Sequence, residues 1–176
     1  SWSDDADWLS LITFNASTGS QRDMSHGDQL SFEYYSRGDL LLADGGEDKF
    51  VLDPTYGRLA PSHNTIAIEN PRSPYPVSAL SGSTSRGIFK GNAAQLFAPS
   101  TVDTTLEVPW MQAVQAHVSI SRIFPEKTRT DSLGEVLSSP IQYSRTVLYP
   151  DSDYFVIVDR MEGTEAWTYN NLFRPT

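Results

Sequence analysis

The stretch SHGDQLSFEYYSRGDLLLADGG, Ser25 to Gly46, decides the fold. Leu30, Phe32 and Tyr34 alternate with Ser31, Glu33 and Tyr35. That is the period of a strand with one face on a core. Ser36-Arg37-Gly38-Asp39 supplies turn residues, and LLLAD follows as the return strand. The stretch is predicted as a β-hairpin. A tight turn centred on Arg37-Gly38 pairs Asp44 with Ser31.

The same rhythm recurs along the chain. HNTIAIEN (63–70) reads as a strand stopped by Pro71, and residues 71–87 are rich in Pro, Ser and Gly and read as a long surface loop. AAQLFAPST (93–101) is a short apolar stretch. Alternation is clear from Val114 to Ile120, and IQYSRTVLY and YFVIVDRM flank the turn residues Pro150-Asp151-Ser152-Asp153. AWTYNNLF (166–173) is a last strand. Eight or more short strands with turn-rich joints predict an all-β antiparallel β-sandwich. A short N-terminal helix is expected at most, over residues 3–11, with Ser3 as its cap and Asp4, Asp5 and Asp7 near its positive end.

The 176 residues suit one domain, 1–176, with a real core. The net charge of −9 argues against nucleic acid as a partner, since that binding needs clustered Lys and Arg. No cysteine is present, which excludes disulfides, thiolate metal sites and cysteine nucleophiles. The longest apolar runs are a handful of residues, too short to span a membrane. SWSDDADWLS lacks the basic and apolar regions of a signal peptide. A first residue that is Ser, and an end directly after a strand, lead us to expect a piece of a longer protein. Asn15-Ala16-Ser17 fits the glycosylation triplet, a pattern that chance often produces.

Chemistry-bearing residues are few. Of the three histidines, His117 falls in step with Gln115, Ser119 and Ser121, on the polar face of its strand. His26 and His63 stand at strand mouths among small polar residues, and Asp44 closes a strand before Gly45-Gly46. Imidazole and carboxylate oxygen suit a borderline divalent ion where no thiolate is available. Taken singly, each of these residues is more often a cap or a surface group than a ligand, and no compact motif such as HExxH is present. In the hairpin register His26 lies about five residues beyond Ser31, roughly 17 Å if extended, so a joint site requires a bend near Gly27-Asp28. Arg145 and Asp159 lie on two arms of one hairpin near Tyr143 and form a structural ion pair if they share a face. The tryptophans and tyrosines fall mostly at strand positions, which assigns them to the core and cross-strand pairs before any sugar-binding surface. No GxSxG, P-loop, GxGxxG or EF-hand loop occurs, and no carboxylate pair stands out as a glycosidase acid and base.

SHGDQLSFEYYSRGDLLLADGG, then SHNTIAIEN (62–70), then SRTVLYPDSDYFVIVDRMEG (144–163), resembles the C-terminal β-sandwich of the heparinase II/III-like polysaccharide lyases. The likeness covers about residues 24–163 in order. It implies a divalent-metal site, with zinc as the ion and calcium as the alternative, held by His26, Asp44 and His63. The 18-residue spacing of the first two matches the family pattern. Asp28 and Asn64 are implied as residues that orient ligands or face the cleft. Met24 falls where the family places a histidine at the active site, and a thioether moves no proton. The family's elimination chemistry also draws on an N-terminal helical toroid for which this chain has no room. The isolated domain is therefore expected to be inactive, with the metal as a clamp beside the cleft. The implied partner is an acidic polysaccharide, met through a parent protein that is secreted, periplasmic or displayed at the cell surface. A non-catalytic module that binds carbohydrate or protein, and a sandwich with no ligand, are the competing readings.

Overall fold

A computed structural model describes residues 10–16, 28–44, 63–69, 99–123, 135–150, 154–165 and 168–176. Within them the chain is all-β: β1 (Ser10–Phe14), β2 (Phe32–Ser36), β3 (Asp39–Leu42), β4 (Ile66–Glu69), β5 (Ser100–Val108), β6 (Met111–Ile123), β7 (Glu135–Pro150), β8 (Val156–Glu162) and β9 (Thr168–Asn171). All pairings are antiparallel, in the orders β1-β2-β3, β4-β9 and β5-β6-β7-β8. Just after β9 the chain joins the first two groups. Leu42 bridges Pro175, and the Ala43 amide donates to the Arg174 carbonyl at 3.2 Å.

The two layers meet through apolar faces set by period-two alternation. Leu30, Ile66 and Ile68 from one layer pack on Ala116, Val118, Ile120, Leu137, Ile141 and Tyr143 of the four-stranded sheet. Each fully buried Ile or Leu here contributes about 1.5–3 kcal/mol of transfer free energy. The fold is the expected antiparallel β-sandwich. Ser10 and Leu11, expected at the end of a helix, belong to β1, where Leu11 opposes Tyr35. The rest of that expected helix, the loop at 71–87 and the turn residues 151–153 lie outside the described residues. His117 lies on the outer face with its side chain 46 % exposed, as its period predicts, and its Nδ1 meets Asp103 Oδ1 at 2.5 Å.

The opening hairpin forms, with one change of register. Arg37 (φ 54°) and Gly38 (φ 88°) both take left-handed conformations between Ser36 and Asp39. Two positive φ values match the twist of the flanking strands, as in a type I′ turn. A shift between Tyr34 and Tyr35 then pairs Tyr34 with Leu42. Continued, that register sets Asp44 against Phe32 rather than Ser31. The single extra residue in β3 re-aims everything beyond it.

Candidate functional site

The His63-Asn64-Thr65 segment that leads into β4 carries the site. These three polar residues are fully buried. Burial at that depth demands hydrogen-bond partners for the polar atoms. The Thr65 hydroxyl donates to the Gln29 carbonyl at 2.7 Å. The Asn64 amide donates to the carbonyls of Phe32 (2.9 Å) and Ala43 (3.0 Å), while its Oδ1 accepts the Arg174 amide at 2.7 Å. One side chain thus ties together β2, the exit of β3 and the chain after β9.

That grip brings Asp44 to His63. The His63 Nδ1 lies 2.9 Å from Asp44 Oδ1 and 2.8 Å from Oδ2. A carboxylate accepts only, so Nδ1 carries the proton shared with it. The imidazole is fully buried, and the Asp44 side chain is 23 % exposed, so the pair opens toward solvent on the carboxylate side. The Asp44 amide also donates to Glu33 Oε1 at 3.3 Å. Two of the three residues singled out as ligands are therefore in contact. His26 and Met24 lie outside the described residues. Among the described residues no group of three or more His, Asp or Glu side chains assembles around one point.

A turn stands just after the Gly27-Asp28 point at which a joint site is expected to need a bend; Gly27 lies outside the described residues. Asp28 to Ser31 is a turn, closed by the Ser31 amide on the Asp28 carbonyl at 2.9 Å. Its sharp residue is Leu30, at φ 59°, a conformation that costs a leucine roughly 1–2 kcal/mol. Three things hold it there. The Leu30 side chain is buried, its amide donates to the Asn15 carbonyl at 2.8 Å, and its carbonyl accepts from Arg145 at 2.8 Å. Asp28 Oδ2 accepts the Asn15 side-chain amide at 2.6 Å, so Asp28 braces the turn.

Behind the site lies a buried ion pair. Arg145 faces Asp159 directly across β7 and β8. The side chains are 0 % and 9 % exposed. All five guanidinium N–H groups are used. Nε reaches Asp159 Oδ1 (2.7 Å), one terminal nitrogen reaches the Leu30 and Asn64 carbonyls (2.8 and 2.7 Å), and the other reaches Asp159 Oδ2 and Asn171 Oδ1 (2.9 and 3.2 Å). Asp159 in turn also accepts from the Tyr143 hydroxyl at 3.1 Å and the Asn171 amide at 3.0 Å. The Phe32 and Tyr143 rings stand 5.4 and 5.7 Å from the guanidinium carbon. Burial pushes the Tyr143 hydroxyl well above the ordinary tyrosine range, against the lowering effect of Arg145. The ion pair follows the sequence reading. The bonds from Arg145 to the Leu30 and Asn64 carbonyls do not, although Ile141, Tyr143, Arg145 and Val147 share one parity in β7 and so mark Arg145 as inward-facing. A cavity of about 210 Å³ between β1 and the ends of β6 and β7, lined by Ile12, Phe14, Val114 and Val147 among others, shares no residue with this site.

The family model described as Heparinase II/III-like, C-terminal, matches residues 2–174. No curated protein matches the chain.

Proposed function

The chain belongs to the heparinase II/III-like C-terminal domain family, and from that premise we propose that it is the β-sandwich domain of a polysaccharide lyase acting on uronate-containing glycans. In this reading it contributes a divalent-metal site and one wall of the substrate cleft. The elimination itself removes the proton beside a uronate carboxylate and expels the glycosidic oxygen. That step needs an acid, a base and neutralisation of the carboxylate around one sugar, groups that a separate helical domain would supply.

The observation that carries the metal reading is the His63–Asp44 contact. Nitrogen and oxygen ligands on a tetrahedral zinc ion at about 2.1 Å stand roughly 3.4 Å apart. Nδ1 stands 2.8 and 2.9 Å from the two carboxylate oxygens, so it and one of them would part by about half an ångström to hold an ion between them in place of a proton. His26 is the proposed third ligand, reached through the turn at Asp28–Ser31. Asn64 holds the exit of β3 beside His63, and Asp28 braces the turn. When bound, the ion neutralises Asp44 and fastens the segments at one edge of the sandwich, as a clamp beside the cleft. Two imidazoles favour zinc over calcium.

Metal analysis of the purified full chain tests this reading. About one zinc per chain is expected, lost on His63→Ala. A protein that neither retains nor takes up zinc refutes the site.

A second reading is favoured by Met24, which stands where the family carries a histidine. In it the domain belongs to a non-catalytic protein, exported like the family, that binds an acidic glycan or another protein. Binding on a glycan array without turnover by the parent protein supports it. Release of unsaturated uronate, followed by its ultraviolet absorbance, excludes it.

A further inference from the structure

We propose that Arg145 is the positioning residue of the His63–Asp44 pair: a single buried guanidinium on the opposite sheet sets where the two proposed ligands stand. The inference rests on the metal reading above and extends it to a residue that touches neither ligand. One terminal nitrogen of Arg145 grips two carbonyls at once. One belongs to Asn64, the residue after His63, at 2.7 Å. The other belongs to Leu30, whose left-handed turn packs against the same segment, at 2.8 Å. Asn64 then carries the constraint onward, because its amide holds the carbonyl of Ala43, the residue before Asp44, at 3.0 Å. From guanidinium to either ligand the path runs through main-chain groups and one buried side chain.

The guanidinium itself is fixed. Asp159 takes it in a two-point fork, at 2.7 and 2.9 Å, and the Phe32 and Tyr143 rings confine it. Lysine keeps the charge but offers three N–H groups on one nitrogen, and it cannot hold the fork and both carbonyls together. Metal ligands tolerate displacements of about 0.2 Å, and removing the groups that orient them typically weakens binding about 10–100-fold.

The test measures zinc affinity of the full chain by competition with a chromophoric chelator, and the visible spectrum of the cobalt-loaded chain. Arg145→Lys is expected to bind zinc about 10–100-fold more weakly and to shift the cobalt bands. Ile141→Val, a core change on the same strand, loses stability and leaves affinity and spectrum at wild-type values. If Arg145→Lys does not fold, Asn171→Ala is read instead. It removes one acceptor of the guanidinium at the solvent edge, and a loss of about threefold is expected, the scale of one weakened hydrogen bond. A folded variant with wild-type zinc affinity and an unchanged cobalt spectrum overturns the inference and leaves the metal reading standing. Absence of zinc binding by the wild-type chain overturns the metal reading, and this inference with it.

Discussion

Replacing Asp159 by asparagine tests the load on the buried ion pair with almost no change in volume. The carboxylate receives four hydrogen bonds, two on each oxygen. In one orientation the new NH₂ group faces the Tyr143 hydroxyl and the Arg145 Nε. In the other it faces an Arg145 terminal nitrogen and the Asn171 amide. Either way an Arg145 N–H loses its acceptor, and a fully buried cation loses its counter-charge. Removing one partner of a buried, hydrogen-bonded pair costs about 3–5 kcal/mol. Little discount for solvent applies, because the side chains are 0 % and 9 % exposed. For a domain of this size each kcal/mol moves the melting temperature by about 2–4 °C, so a fall of about 6–20 °C is expected. Urea unfolding at pH 7, followed by tryptophan fluorescence, gives the free energy directly. The midpoint should drop with the slope unchanged. Glu162→Gln is the internal control. Glu162 pairs with Arg160 on the surface, with side chains 57 % and 75 % exposed, and such pairs contribute about 0–1 kcal/mol. A loss below about 1 kcal/mol in Asp159→Asn refutes the claim that the pair organises this side of the sandwich.

Two further outcomes follow from the same geometry. Tyr143 titrates above its unfolded value, so the folded state keeps a proton that the unfolded state releases above about pH 10. Its contribution to stability is whole below that pH and declines above it, by about 1.4 kcal/mol per pH unit. Urea midpoints measured from pH 9 to 11 should fall more steeply for the wild type than for Tyr143→Phe, and parallel curves would exclude Tyr143 as the source. At the hairpin, Gly38 stands at φ 88°, where any Cβ is crowded. Gly38→Ala should destabilise the chain by about 1 kcal/mol in the same urea assay, and an unchanged midpoint would show that the turn relaxes.

Alternation made most of the sandwich legible. It marked β2 and β3, β6, β8, β7 from Ile141 onward but not its first residues from Glu135, and the polar face that carries His117. It missed β5, because Thr101 to Glu107 are exposed on both faces and leave no apolar rhythm. It missed β1 because SLITF follows an acidic run that resembles the start of a helix. The register error in the hairpin has a specific source. Asp39-Leu40-Leu41-Leu42 contains three leucines in succession, so nothing in the residue types says which of them is doubled, and Leu40 and Leu41 are both exposed. Where residue parity carries no signal, a one-residue slip is invisible in sequence.

The candidate site resisted local reading for a different reason, which is also its main physical property. His-Asn-Thr before an apolar strand looks like an ordinary solvated entrance, yet all three residues are buried. Their partners come from far along the chain. Asn64 meets Phe32 and Arg174, Thr65 meets Gln29, and Arg145 reaches back to Asn64 and Leu30. No window of sequence contains such a network. The same separation means that the His63–Asp44 pair cannot be set by its own loops. Loop closure over these distances is entropically costly and is recovered only when the layers dock. Leu30 carries its left-handed strain for the same end, since its carbonyl must face Arg145. The strain is therefore a consequence of docking rather than a local preference. The His63–Asp44 contact therefore forms together with the complete sandwich, over an Arg145–Asp159 pair whose guanidinium joins the Leu30 and Asn64 carbonyls.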